Sequence, residues 1–300
     1  MNGAGQILGP VSRRPMGVTD CHVHINPIWE MLPSARALVG HSGAGAELEG
    51  YARSPAKFLE YMDRSGIERA VLVNYVAPEI VGYTEKANEF VSEYCRADPR
   101  RLIAVGSVLP THREPGAEVD RLVHDLGIRG LKIHPSHQLF APNAYSDGQL
   151  PKLREIYEHC ERLGIPVIVH TGTSVFPGAR NRFAEPLLLE DVAIDFPKLT
   201  IVLAHGGRPL WMEQAVFLAR RFERVYLELS SVPPSKLLSY FPTLAKIADK
   251  ALFGSDWPGP GVRDIGENLR AFRELPIPEE SKTRILDENP LRVFPPASGT

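Results

Sequence analysis

An α/β chain whose strands close into a (β/α)8 barrel is the architecture this sequence predicts, on three observations. Eight short apolar runs alternate with amphipathic stretches along the chain. The runs are rich in Val, Ile and Leu and apolar on both faces, as parallel strands covered by helices are. Polar residues stand at the C-terminal ends of the first, fourth, fifth, sixth and eighth runs. An open doubly wound sheet would instead gather its site at one switch point.

The strand-like runs are 19–25, 69–74, 102–108, 130–134, 166–170, 200–205, 225–229 and 251–255. Between the first two lies segment 26–53, rich in Gly, Ala and Pro, which reads as a long insertion. Long segments 135–149 and 171–185 follow the fourth and fifth runs. All three fall on the barrel face where substrates bind. Ser54-Pro55 opens a helix, with Ser as N-cap and Pro at the first helical position; Phe58, Leu59 and Met62 form its inner face and Gly66 ends it. Stretches 118–126, 150–163, 186–196, 210–222, 235–248 and 265–275 carry the same pattern. A last helix, 281–286, and the tail to Phe294 pack outside. The chain of 300 residues suits one such barrel, typically about 250 residues long. One domain over 1–300 is therefore expected, with 1–17 as an N-terminal leader segment and 281–300 as C-terminal helix and tail.

The composition, 43% hydrophobic and 23% charged, is that of a soluble globular protein. A net charge of −2 and a pI near 6.6 offer no basic stripe for nucleic acid or a membrane surface. No run approaches the ~20 apolar residues of a membrane span. Cys21, Cys95 and Cys160 are odd in number and widely spaced, which opposes a disulfide framework and suits the cytoplasm. The expected partner is a small-molecule substrate; a homo-oligomer is compatible with the sequence.

The strongest local signal is Asp20-Cys21-His22-Val23-His24. Side chains alternate along a strand, so His22 and His24 face one way, roughly 7 Å apart, and together can hold one cation. Asp20 shares their parity and suits orienting one ring. Cys21, between them, should face the outer helices as a packing residue. Taken alone the pair is weak, since an isolated His-x-His is common. Three further strand ends strengthen it: His170 in Val-His-Thr-Gly, His205 in Ala-His-Gly-Gly, and Asp256 in Gly-Ser-Asp-Trp-Pro.

With these motifs the chain resembles the amidohydrolase superfamily of metal-dependent TIM-barrel enzymes. It is most similar to the amidohydrolase-related branch that holds lactonases, hydrolases and aminocarboxymuconate-semialdehyde decarboxylase-like enzymes. The resemblance runs from Asp20 to the 289–294 tail. It implies that His22, His24, His170 and Asp256 hold a divalent metal, Zn2+ first and Mn2+ second, as one or two ions. It implies two roles for His205, a general acid/base and oxyanion aid or a ligand to a second metal. Asp256, besides ligating, would shuttle a proton. On the fourth run, Lys132 matches the position where binuclear relatives carry a carboxylated, metal-bridging lysine; the rival reading is an ordinary ammonium that holds a substrate anion.

Arg180, Arg182 and Arg208 are candidates for gripping a substrate carboxylate. His134 has the parity to line the pocket, and His137 lies in the loop beyond it. Trp257 and Trp29 could wall the mouth or simply pack. The leading reading is a metal-dependent hydrolase that uses activated water on a small polar ester, lactone or amide. The alternative is a metal-dependent non-oxidative decarboxylase of an aromatic or unsaturated carboxylic acid. A barrel that binds metal or ligand without catalysis is the third, opposed by the intact ligand set.

Overall fold

The computed structural model describes residues 17–40 and 45–296; all but the last residue of the expected leader segment lies outside them. The eight expected strands form as β1 (Thr19–Val23), β2 (Arg69–Val73), β3 (Leu102–Val105), β4 (Leu131–Ile133), β5 (Val167–His170), β6 (Ile201–Ala204), β7 (Val225–Glu228) and β8 (Ala251–Leu252). Most are shorter than the apolar runs because the last residues of those runs leave the ladder. His24, His134, His205 and Ser255 all lie just beyond a strand end.

All pairings are parallel, in a sheet β1-β2-β3 and a sheet β4-β5-β6-β7-β8. Single bridges span both seams, Val23 with Trp257 and Gly106 with Leu131. Backbone hydrogen bonds reinforce them: Asp256 N–H to the His22 carbonyl at 2.8 Å, and Lys132 N–H to the Gly106 carbonyl at 2.7 Å. The strands thus stand in ring order, with helices between them, as a (β/α)8 fold.

Alternation sorts the strand residues into two buried layers. Ala70, Leu72, Leu131, Val169 and Leu203 pack outward against helix residues such as Met62, Val119 and Ile156. Their neighbours Val71, Ile103, Ile168, Val202 and Leu252 fill the interior. Cys21 belongs to this inner cluster, against the expectation that it faces the helices. The pairing of β1 with β2 shifts register between Asp20 and Val23. Such an irregularity inserts an extra residue and breaks simple parity.

The Ser54 cap forms as expected: its hydroxyl accepts from the Lys57 N–H at 3.4 Å, the helix runs Pro55–Ser65, and Gly66 closes it at φ 73°. Segment 26–53 is not a plain loop. It carries a 3-10 turn, Ile28–Glu30, and helices Pro33–Gly40 and Gly45–Arg53. Helix Lys86–Cys95 was not expected either, since its buried side includes Asn88 and Ser92. Asn88 is satisfied by the backbone of Ser107 on both sides. Stretch 235–248 breaks into Pro234–Tyr240 and a 3-10 segment Leu244–Lys250, because Pro242 offers no N–H and bars helical geometry at Phe241. The C-terminal helical segment extends beyond expectation, through Glu279–Thr283, Arg284–Glu288 and Asn289–Val293. Among the described residues no helix is long and apolar enough to cross a membrane.

Candidate metal centre and active site

The strand ends open on a cavity of about 380 Å³ lined by His22, His24, Lys132, His134, His137, His170, His205, Arg208 and Asp256. Side chains separated by more than two hundred residues meet here because each leaves the C-terminal end of a strand or the loop after it. Two of them sit on strained backbone: His205 has φ 66° and Asp256 φ 65°. For residues with a Cβ this left-handed geometry costs about 1–3 kcal/mol and clusters at functional sites.

Three hydrogen bonds fix the β1 histidines. His22 Nδ1 lies 2.7 Å from Glu228 Oε2, and the pair is fully buried. His24 Nδ1 lies 2.8 Å from the Val73 carbonyl. The third holds the backbone, where Asp20 Oδ1 accepts from the His22 N–H at 3.1 Å. A carbonyl and an ionised carboxylate only accept, so both rings carry hydrogen on Nδ1 and, in the neutral form that ligates a metal, present a bare Nε2. Yet those Nε2 atoms stand 3.2 Å (His24) and 3.7 Å (His22) from Asp256 Oδ1. Acceptor facing acceptor in a buried site is repulsive unless a cation lies among them. Donor atoms of His22, His205 and Asp256 also lie within 4.8 Å of one another.

The ionisation states suit such a centre. Burial pushes His22 below the ordinary imidazole value, with the Lys132 charge acting the same way. Burial holds His134, His170 and His205 well below it and brings His137 down to about 3. Neutral imidazole is the ligating form. Burial raises Asp256, but the surrounding side chains, the Arg208 guanidinium among them, outweigh it and hold the carboxyl below the usual range. Burial brings Lys132 down to about 8.

Several buried polar atoms facing this cavity have no hydrogen-bond partner: His22 Nε2, Lys132 Nζ, His134 Nδ1, both His170 nitrogens and Arg208 Nε. Each such atom costs about 1–3 kcal/mol, so their concentration in one cavity marks a place built for a ligand. Imidazole nitrogens with a carboxylate are the donor set of a divalent transition metal. The residues present fit the metal that the sequence implies.

The expected site residues divide clearly. His22, His24, Lys132, His134, His170, His205, Arg208 and Asp256 share the cavity; His137 joins them, stacked on His134 at 3.6 Å, with His134 stacked on His170 at 3.9 Å. His170 stands outside the tightest donor cluster but beside His205, their ring centroids 4.8 Å apart. Arg208 is pinned, donating to the Thr173 carbonyl at 2.8 Å and the Ser231 hydroxyl at 2.7 Å. Arg180 and Arg182 are exposed and do not line the cavity, Arg182 lying over the Phe183 ring instead. Trp257 is also away from it, 1% exposed and packed among Tyr51, Phe58 and Tyr61. The left-handed turn at Asp256 carries the next side chain out toward the helix Pro55–Ser65. Trp29 lies beneath the Arg53 guanidinium, outside the cavity lining. Asp20 does not touch a ring: it holds the backbone of His22 and of Ser255. Burial raises its carboxyl to about 7 despite these bonds.

Glu228, the residue that orients His22, was missed. Its signal was a single carboxylate in the apolar run Val-Tyr-Leu-Glu-Leu. It stands at the end of β7, wholly buried, against Gly254; a Cβ there would meet Glu228 Oε1 at 2.1 Å. The sequence also gave no sign of the apolar wall, which includes Ile28, Met31, Leu48, Val81 and Phe176.

Comparison with known proteins places this geometry among relatives. A family described as amidohydrolase matches residues 19–295. Gamma-resorcylate decarboxylase of Rhizobium sp. (strain MTP-10005) is 24% identical over 290 residues, covering 79% of this chain and 85% of that protein. 4-Sulfomuconolactone hydrolase of Rhizobium radiobacter is 24% identical over 303 residues, covering 93% of this chain and 90% of that one. A solved structure, an uncharacterized TIM-barrel protein of Bordetella bronchiseptica, superposes with a TM-score of 0.73 at 26% identity over 92% of this chain and 98% of that chain.

Proposed function

The chain belongs to the amidohydrolase family, and from that premise we propose that it is a metal-dependent hydrolase opening an ester, lactone or amide bond in a small anionic molecule. One observation carries the reading: the bare Nε2 atoms of His22 and His24 converge on Asp256 at the buried floor of the cavity. His22, His24, His170 and Asp256 would hold the ion, zinc first and manganese second, with His205 beside them. Bound there, the ion supplies Lewis acidity toward the scissile carbonyl and lowers the pKa of the attacking water.

The chain's own residues supply the rest. Asp256, ionised and acceptor-only, takes the proton of the attacking water and returns it to the leaving atom. Lys132 Nζ, buried and unpartnered, and Arg208 place two cations on one cavity. They hold an anionic group of the substrate while the apolar wall takes its carbon body and excludes water. Carboxylation of Lys132 belongs to a two-ion form of the same site. The buried free cysteines suit a reducing cytoplasm, and the barrel acts as one domain.

A second reading, non-oxidative decarboxylation, is favoured by the identity to gamma-resorcylate decarboxylase and by the same two cations, which suit a carboxylate. Product mass separates the two. The enzyme is incubated with a panel of carboxylate-bearing lactones and esters and of hydroxybenzoates, with and without chelator. The expected product gains one water, its formation stops on chelation, and zinc or manganese restores it. Loss of CO2 would establish the second reading, and turnover unchanged by chelation would overturn both.

A further inference from the structure

We infer that Glu228 is a positioning residue that sets the tautomers of two histidines at once. It acts on His22 directly and on His205 through the hydroxyl of Ser230, making His205 a lone-pair donor at Nε2 and not a hydrogen-bond donor to an oxyanion. Four contacts carry this. Glu228 Oε2 lies 2.7 Å from His22 Nδ1 and 2.8 Å from Ser230 Oγ, and Glu228 Oε1 accepts from the Ser230 N–H at 2.6 Å. His205 Nδ1 lies 2.8 Å from the same Ser230 Oγ.

Hydrogen counting settles the polarity. An ionised carboxylate accepts only, so His22 and Ser230 must both donate to Oε2. Ser230 has one hydroxyl hydrogen, and it is committed to Glu228. Toward His205 the hydroxyl oxygen therefore offers only a lone pair, and His205 must bring the hydrogen on Nδ1. The Ser230 carbonyl, 3.4 Å from that nitrogen, is also an acceptor and imposes the same polarity. In the neutral ring, the form that ligates a metal or accepts a proton, that single hydrogen is spent on Nδ1 and Nε2 is bare.

Glu228 itself has no freedom to turn. It is fully buried, bonded through both oxygens, and closed in by Gly254, where no larger residue fits. The His22 and His205 rings lie 4.9 Å apart, so one carboxylate prepares both for the same centre. Of the roles that the sequence left open for His205, neutral oxyanion donor is removed; base or metal ligand remains. The use made of Nε2 rests on the metal-centre reading, whereas the tautomer does not.

The test is two-dimensional 15N–1H NMR of the imidazole nitrogens in the full chain, ¹⁵N-labelled at histidine and treated with chelator. Signals are assigned by their loss in His22→Asn and His205→Asn variants. The wild type is expected to show hydrogen on Nδ1 of both residues. In Glu228→Gln the Ser230 N–H holds the amide oxygen at the Oε1 position, so the amide N–H2 stands where Oε2 stood and donates to both His22 Nδ1 and the Ser230 hydroxyl. That releases the hydroxyl hydrogen toward His205 and moves the ring hydrogens of both His22 and His205 to Nε2. In Ser230→Ala, His22 should keep its tautomer, while the Nδ1 hydrogen of His205, held then only by the long 3.4 Å contact to the backbone carbonyl, should pass in part to Nε2. Zinc titration should show an apparent Kd raised by about 10–100-fold in Glu228→Gln, the range for loss of a partner behind a ligand. Hydrogen on Nε2 of wild-type His205, or no change in His205 in either variant, overturns the inference. If Glu228→Gln does not fold, the wild-type and Ser230→Ala spectra still decide it. Correct tautomers with no zinc uptake by the wild type would instead count against the metal-centre reading alone.

Discussion

Replacing His22 with alanine empties the metal centre, and kcat/KM falls by about 10³-fold or more, the several kcal/mol that Lewis-acid stabilisation contributes. No other residue can take its place: the ring is fully buried, oriented by Glu228 behind it, with Nε2 free of any protein partner in front. The same change deprives the buried Glu228 of one hydrogen bond, at a cost of about 1–3 kcal/mol. A barrel with so large a core should survive that loss. Elemental analysis after purification with added zinc reads the ion content, and circular dichroism confirms the fold. A variant that retains both ion and rate removes His22 from the centre.

Asp256→Asn separates the two tasks given to the carboxylate. Asparagine is nearly isosteric but cannot accept a proton, so kcat should fall by about 10²–10⁴-fold with KM changed only a few-fold. The lost charge also weakens metal binding, since a neutral amide oxygen replaces the carboxylate that faces the bare Nε2 atoms of His22 and His24. Kinetics are therefore measured across a zinc titration. The expected result is ion content restored at high zinc with kcat still low. Full recovery of kcat would make Asp256 a ligand only and move proton transfer to another group.

Much of this site is legible in the sequence because a parallel barrel converts local pattern into position. A polar residue ending an apolar run must stand at the mouth, which is why His22, His24, His170, His205, Asp256, Lys132 and His134 all reach one cavity. What depends on contacts between distant segments is not legible. Glu228 is visible as an odd carboxylate in β7, but its link to His22 spans 206 positions in the chain. Cys21 escaped parity because β1 is irregular. The path of loop 171–185 has no period to read, and it leaves Arg180 and Arg182 in solvent. Trp257 follows a residue with positive φ, so neither periodicity nor motif indicates the side to which it turns. The Gly- and Ala-rich composition of 26–53 hid the helices that bring Leu48 and Val39 to the cavity wall.

The proposed chemistry requires a divalent ion where His22, His24 and Asp256 converge. Anomalous scattering from crystals of the zinc-loaded protein tests it most directly. A peak is expected at the cavity floor with His22 Nε2, His24 Nε2, His170 and an Asp256 oxygen at about 2.0–2.2 Å. The same map counts the ions and shows whether Lys132 carries added density. No peak there, or a fully occupied ion bound without either β1 histidine, would contradict it.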